Sequence, residues 1–157
     1  MEIERKFWME SLPDLPEEQS SEMEQGYLCT TPVELRIRRR RDQRTGETRY
    51  HLCIKSIGAL SRHEVETDLS EAQFYELASM LDQPMIHKEY HAYRLNDGHI
   101  LECSIVDHGV FSYAEVEFTS EEEALAWQPI AGLGKETTYQ KGVSMREYWN
   151  TRRGKTE

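Results

Sequence analysis

The residues that could do chemistry begin at the second position. In Glu2-Ile3-Glu4-Arg5-Lys6-Phe7, a strand would place Glu2, Glu4 and Lys6 on one face and Ile3, Arg5 and Phe7 on the other. Carboxylates two residues apart on a strand lie roughly 6–7 Å apart. That spacing suits oxygen donors for a hard divalent cation, and the lysine beyond them could hold a phosphate. The ordinary alternative is a half-buried strand with its charged face in water.

The same alternation recurs along the chain. Arg36, Arg38 and Arg40 oppose Leu35 and Ile37, while His51, Cys53 and Lys55 oppose Leu52 and Ile54. Arg62, Glu64 and Glu66 oppose His63, Val65 and Thr67, and Glu115 and Glu117 oppose Ala114, Val116 and Phe118. Lys88 pairs with Tyr90, and Glu102 with Ser104. With 31% of residues charged, chance alone yields about 15 such pairs, so placement must decide rather than number. Nearly every strand candidate carries a charged face opposite an apolar one. A solvated sheet face would explain that. The like-charged pairs Glu2/Glu4, Glu64/Glu66 and Glu115/Glu117 are better explained if they share cations, with arginine and lysine balancing a polyanion that those cations bridge. This is the logic of phosphoryl-transfer sites. No P-loop signature occurs, so side chains rather than a glycine-rich loop must hold the phosphates.

The elements that would position these side chains are mostly strands, expected over 1–9, 25–29, 33–41, 49–56, 61–68, 86–95, 99–106 and 111–119. Turn chemistry at 44–47, 96–98 and 107–109 separates several of them. Capping-box spacing at Ser70-Glu71-Ala72-Gln73 and Ser120-Glu121-Glu122-Glu123 predicts two helices. A third is expected over 139–150, with Tyr139, Val143, Met145 and Trp149 available for packing. The polar stretch 13–21 reads as a loop and 152–157 as a frayed tail, leaving residues 1–151 as a single domain. Eight antiparallel strands suggest a closed barrel, α+β but mainly β, with a few peripheral helices. Its interior would hold packed side chains or one small ligand.

Composition narrows the partners. A net charge of −10 over 157 residues argues against nonspecific binding to nucleic acid or an anionic membrane surface. No apolar run reaches the roughly 20 residues of a membrane helix. Three scattered cysteines fit free thiols in the cytoplasm better than a disulfide frame or a zinc site. A homodimer remains open.

The opening motif resembles the ExExK signature of the CYTH superfamily, the triphosphate tunnel metalloenzymes. The resemblance continues in order through Gln25-Gly26-Tyr27-Leu28, Leu35-Arg36-Ile37-Arg38, Leu52-Cys53-Ile54-Lys55, Arg62-His63-Glu64-Val65-Glu66, Lys88, Glu115-Val116-Glu117-Phe118 and Gly134-Lys135-Glu136-Thr137. It implies an eight-stranded tunnel whose hydrophilic lumen binds a triphosphate with Mg2+ or Mn2+. It further implies that Glu2, Glu4, Glu115 and Glu117 bind metal and activate water, with Glu64 and Glu66 as further acids of the lumen. Lys6, Arg36, Arg38, Lys55, Arg62 and Lys88 match the phosphate-binding bases, and Lys88 is placed to stabilise the leaving phosphate. Water oriented by Glu2 or Glu4 would attack in line. Arg40, Tyr90, Glu102 and Lys135 are further candidates.

Three positions depart from the family pattern: Tyr90 stands where an arginine is usual, Ser104 where an acid is common, and Tyr139-Gln140-Lys141 where Tyr-x-Asn is expected. The function this resemblance implies is metal-dependent hydrolysis of tripolyphosphate or a similar small triphosphate, as in bacterial tripolyphosphatases. A class IV adenylyl cyclase, a thiamine triphosphatase, or a noncatalytic polyphosphate or nucleotide sensor are the alternatives.

Overall fold

The computed structural model describes residues 1–155. Nine strands form one antiparallel sheet: β1 (Glu2–Trp8), β2 (Glu17–Cys29), β3 (Val33–Asp42), β4 (Thr48–Ser56), β5 (Ser61–Arg62), β6 (Glu64–Leu69), β7 (Ile86–Arg94), β8 (Ile100–Val106) and β9 (Phe111–Glu117). Their order is β5-β1-β9-β8-β7-β2-β3-β4-β6. The two ends of that order are adjacent in sequence. β5 pairs with β1 and β6 pairs with β4, so one stretch of chain joins both edges and brings the sheet round into a barrel.

The ninth strand comes from a break at His63 within the expected strand 61–68. There the chain changes partners, while the His63 main chain exchanges hydrogen bonds with Ser56. Beyond β5, the segment 134–138 continues along β1. Gly134 N donates to the Trp8 carbonyl, Trp8 N to Lys135, and Thr137 N to Lys6. The approach requires glycine, because a Cβ at 134 would lie 2.8 Å from the Trp8 carbonyl oxygen.

β2 starts at Glu17, inside the stretch expected to be a loop. Its first residues are polar and lack apolar alternation, but they pair with β7 from Glu17 onwards, and β3 joins on the other side from Ser21. The ladder, rather than side-chain burial, makes them a strand.

The barrel is mostly polar inside, with a small apolar cluster of Met23, Tyr90 and Ala92, and its largest apolar core lies outside the wall. Phe7, Leu101, Cys103, Ala114, Val116 and Phe118 face outward and are covered by Ala124 and Trp127 of the segment carrying helix α2 (Glu121–Ala126). Helix α1 (Glu71–Ala78) begins with the expected capping box at Ser70 and lays Phe74 against Tyr50 of β4. In α2 the Ser120 hydroxyl accepts from Glu123 N as expected, but the Glu123 carboxylate turns to Thr119.

Helix α3 (Met145–Lys155) starts later and runs further than the expected 139–150 helix. Ser144 accepts from Glu147 N, and Gly142 adopts φ +85° in the preceding turn. Tyr139 is exposed rather than packed. α3 enters the segment read as a tail, of which 156–157 lie outside the described residues. Met145 and Trp149 pack with Tyr27, Ile86, Val106 and Tyr113 at one end of the barrel. All three cysteines are free thiols. Among the described residues no helix is long and apolar enough to cross a membrane.

Candidate active site

The strand register brings the charged ladders together. Lys6, Glu115, Glu102 and Ala92 form one cross-strand row over β1, β9, β8 and β7. Tyr113, Ser104, Tyr90 and Ser21 form the next over β9, β8, β7 and β2. Because side chains alternate faces, fixing one member inside fixes the whole row. The resulting lumen is a cavity of about 310 Å³, near the lower end for ligand sites. Eight carboxylates and eight lysine or arginine side chains line it, so the walls balance one another.

Every candidate from the sequence lines this cavity except Lys135. Lys135 is exposed, in the segment that runs beside β1 beyond β5, where its main-chain carbonyl accepts from Trp8 N. Its assignment to the site is corrected.

The six candidate metal acids separate. Glu2, Glu4 and Glu117 bring one carboxylate oxygen each within 4.8 Å of the others. Glu64 and Glu66 form a second group with the Cys53 thiol. Glu115 stands apart from both groups and shares a hydrogen bond with Glu4. Burial, reinforced by Glu115, pushes the Glu4 carboxyl well above its ordinary range. Glu115 is held low despite its burial, by Lys6 and by the Glu4 hydrogen bond. Burial would also raise Glu2, but a hydrogen bond with Glu64 and the charges of Lys55 and Arg62 bring it down to about 2. Glu64, on the other side of that bond and partly buried, rises to about 7.

The bases are held by specific partners. Lys55 Nζ lies 2.8 Å from Glu2 and 3.6 Å from Glu64. Arg62 reaches Glu2 at 3.0 Å, Glu34 at 3.1 Å and Glu4 at 3.6 Å. Lys6 is 3.3 Å from Glu4. Arg38 donates twice to Gln25 Oε1, and Arg40 donates to Ser21. Lys88 is 5% exposed and donates to the Tyr113 hydroxyl at 3.2 Å. Burial, together with repulsion from Arg38, drops its ammonium well below the ordinary lysine value.

Tyr90 faces the lumen two residues from Lys88, as the alternation predicts, and its hydroxyl donates to Glu102 at 2.6 Å. Ser104 is buried in the same wall.

Several lining residues had no assigned role. Glu34 and Tyr113 extend the alternation of Arg36 and of Glu115, so period two could have found them. Gln25 and Tyr27 sit in a quoted motif without an assigned task. Arg146 could not be found that way. It comes from α3, where strand period has no meaning, and it reaches Glu34 at 3.5 Å.

Arg5, on the outer face, is structural. It forms a fork with Glu136 at 2.7 and 2.9 Å and donates to the Ala124 and Trp127 carbonyls.

No family profile matches the chain. It is 35% identical over 145 residues to an inorganic triphosphatase of Nitrosomonas europaea, covering 89% of this chain and 91% of that protein. The crystal structure of the inorganic triphosphatase NE1496 superposes with a TM-score of 0.66 at 29% identity, over 94% of this chain and 93% of that one. The fold is also that of the PH1819 protein from Pyrococcus horikoshii, with a TM-score of 0.57 at 19% identity over 78% and 81% of the two chains. A barrel with an ionic lumen opened by Glu2-Ile3-Glu4-Arg5-Lys6, together with a relative of this identity over nearly its whole length, places this chain in the CYTH superfamily of triphosphate tunnel metalloenzymes.

Proposed function

We propose that this protein hydrolyses inorganic tripolyphosphate or a similar small triphosphate, releases orthophosphate, and requires a divalent metal. The observation that carries this reading is one lumen in which a three-carboxylate cluster faces a crowd of lysines and arginines. The 35% identical relative, named an inorganic triphosphatase, supports the reaction class.

Glu2, Glu4 and Glu117 fit a magnesium or manganese ion, since all three offer hard oxygen donors within 4.8 Å of one another. Bound there, such an ion supplies charge neutralisation and polarisation of phosphoryl oxygens.

The chain's own residues do the rest. Arg36, Arg38, Lys55 and Arg62 come from the walls formed by β3, β4 and β5, and they bind and align the polyanion. Lys88, dry and fixed by Tyr113, stabilises charge that develops on a departing phosphate. Glu2 and Glu4 orient the attacking water. One of these two carboxylates takes the proton that the water sheds.

The test is a phosphate-release screen over tripolyphosphate, thiamine triphosphate and nucleoside triphosphates, each with Mg2+ or Mn2+. Orthophosphate released from tripolyphosphate is expected. Cyclic AMP made from ATP, or binding without turnover, would overturn the reading.

A further inference from the structure

We infer that Tyr90 determines specificity, closing the lumen against organic tails so that the site selects linear inorganic polyphosphates over nucleoside triphosphates. The inference rests on the triphosphatase reading and goes beyond it by naming what the lumen excludes.

Two grooves adjoin the lumen. The first, of about 440 Å³, shares Tyr90, Glu102 and Glu117 with it and continues over Ala92, His99 and Ile100. Tyr90 and Glu102 are thus the partition between the two spaces. The partition is fixed from both sides. The Tyr90 hydroxyl donates to Glu102 at 2.6 Å, and the Arg40 guanidinium stacks 4.6 Å from the ring centroid, itself donating to Ser21. Tyr90 is only 8% exposed and packs against Met23 and Ala92, so contacts on the ring as well as on the hydroxyl hold it in place.

The second groove, of about 360 Å³, shares Arg40, His51 and Glu66 with the lumen and leads to Arg49. Only polar and charged side chains bound it. Arg40 and Arg49 can take an additional phosphate, although Asp42, Glu47 and Glu66 stand beside them, whereas a purine finds no aliphatic surface there and a single ring, that of His51. The groove behind Tyr90 is the opposite case. Ala92, Ile100 and the His99 ring offer a surface for a base, and Glu102 and Glu117 can accept from hydroxyl and amino groups. Three acids, Glu18, Glu102 and Glu117, outnumber Arg94, itself paired with Glu18, and disfavour phosphate. The residue that shuts this groove therefore decides against nucleosides and is neutral towards chain length.

The experiment compares kcat/KM for tripolyphosphate, tetrapolyphosphate and ATP in the wild type, Tyr90→Ala and Tyr90→Leu, with circular dichroism checking the fold. Leucine retains apolar contact with Met23 and Ala92 but does not reach Glu102, so it guards against collapse of the alanine variant. The wild type is expected to favour tripolyphosphate over ATP. Both variants should raise the ATP-to-tripolyphosphate ratio by about tenfold or more and move the tetrapolyphosphate ratio by less than about threefold. Three results would overturn the inference: ready ATP hydrolysis by the wild type, an unchanged ATP ratio in folded Tyr90→Leu, or an equal gain for tetrapolyphosphate. If the wild type hydrolyses none of the three, the triphosphatase reading fails. Calorimetric titration with ATP then tests the partition, with tighter binding in Tyr90→Leu than in the wild type expected and equal binding overturning it.

Discussion

Lys55 and Glu2, 53 positions apart in sequence, meet across the lumen with Nζ 2.8 Å from one carboxylate oxygen and 3.1 Å from the other. Both are buried, and the same carboxylate also takes Arg62 at 3.0 Å. The contact links β4 to β1 through the interior, beside the seam where β5 and β6 join the barrel. Glu2→Gln leaves two buried cations short of their counter-charge and is expected to cost about 3 kcal/mol in urea unfolding. Adding Lys55→Met should return part of that loss. A double mutant as unstable as the sum of the singles would show that the pair contributes no coupling.

Metal removal should abolish turnover, and Mg2+ or Mn2+ should restore it, because the Glu2, Glu4 and Glu117 donors are all hard oxygens. Glu4→Gln keeps the shape and removes a donor charge and a proton acceptor, and is expected to slow turnover by about a hundredfold. Full activity in excess chelator would refute the first statement. Near-normal turnover in a natively folded Glu4→Gln protein would refute the second.

Lys88→Ala should lower kcat by about a hundredfold, the scale of losing one charge-stabilising donor in a dry site. Tyr113→Phe removes the hydroxyl that Lys88 Nζ meets at 3.2 Å but leaves the ammonium in place. Its effect on kcat should be much smaller. Equal losses in the two variants would mean that the hydroxyl, not the ammonium, carries the effect.

Outside the barrel, Arg5 clamps Glu136 and two carbonyls near the end of α2. Arg5→Met is expected to cost about 2 kcal/mol, since it removes the fork on a partly exposed carboxylate, which keeps the Thr138 hydroxyl, and the side-chain donor of two carbonyls. Arg5→Lys should rescue little, because one ammonium cannot reproduce the fork. Thermal unfolding of both variants decides this.

His99 gives the fold a pH dependence away from the lumen. Burial pulls its pKa down, but hydrogen bonds to Asp97 and Glu123 outweigh that and raise it above 6.5. Its imidazolium lies 3.0 Å from Asp97 and 2.8 Å from Glu123. A raised folded-state pKa gives stability that is fully present below 6.5 and is lost as pH rises through the folded value. The loss should be about 0.5 kcal/mol, as for partly exposed ion pairs, and absent in His99→Gln. A wild type and mutant with parallel stability–pH curves would remove His99 from this role.

Much of this site was legible because a β-strand has a period of two. Once Glu2, Glu4 and Lys6 share a face, the chemistry of Arg36 and Arg38, of Lys55, and of Glu115 and Glu117 follows strand by strand, and all of these side chains line the lumen. Capping residues likewise marked the starts of α1 and α2, because a hydroxyl three residues before its amide partner is a local signal.

What the sequence could not determine depends on contacts between distant segments. The strand character of residues 17–21 comes from the ladder to β7, and the break at His63 from a change of partner strand. Lys135 sits in a segment that resembles the family, yet where that segment pairs beside β1 the side chain is exposed. Arg146 enters the lumen from a helix, and the division of five of the six acids into two clusters, with Glu115 in neither, depends on side-chain reach across the barrel. Local pattern fixes which residues share a face. Barrel closure alone decides which of those faces meet, because that depends on register between strands far apart in the chain.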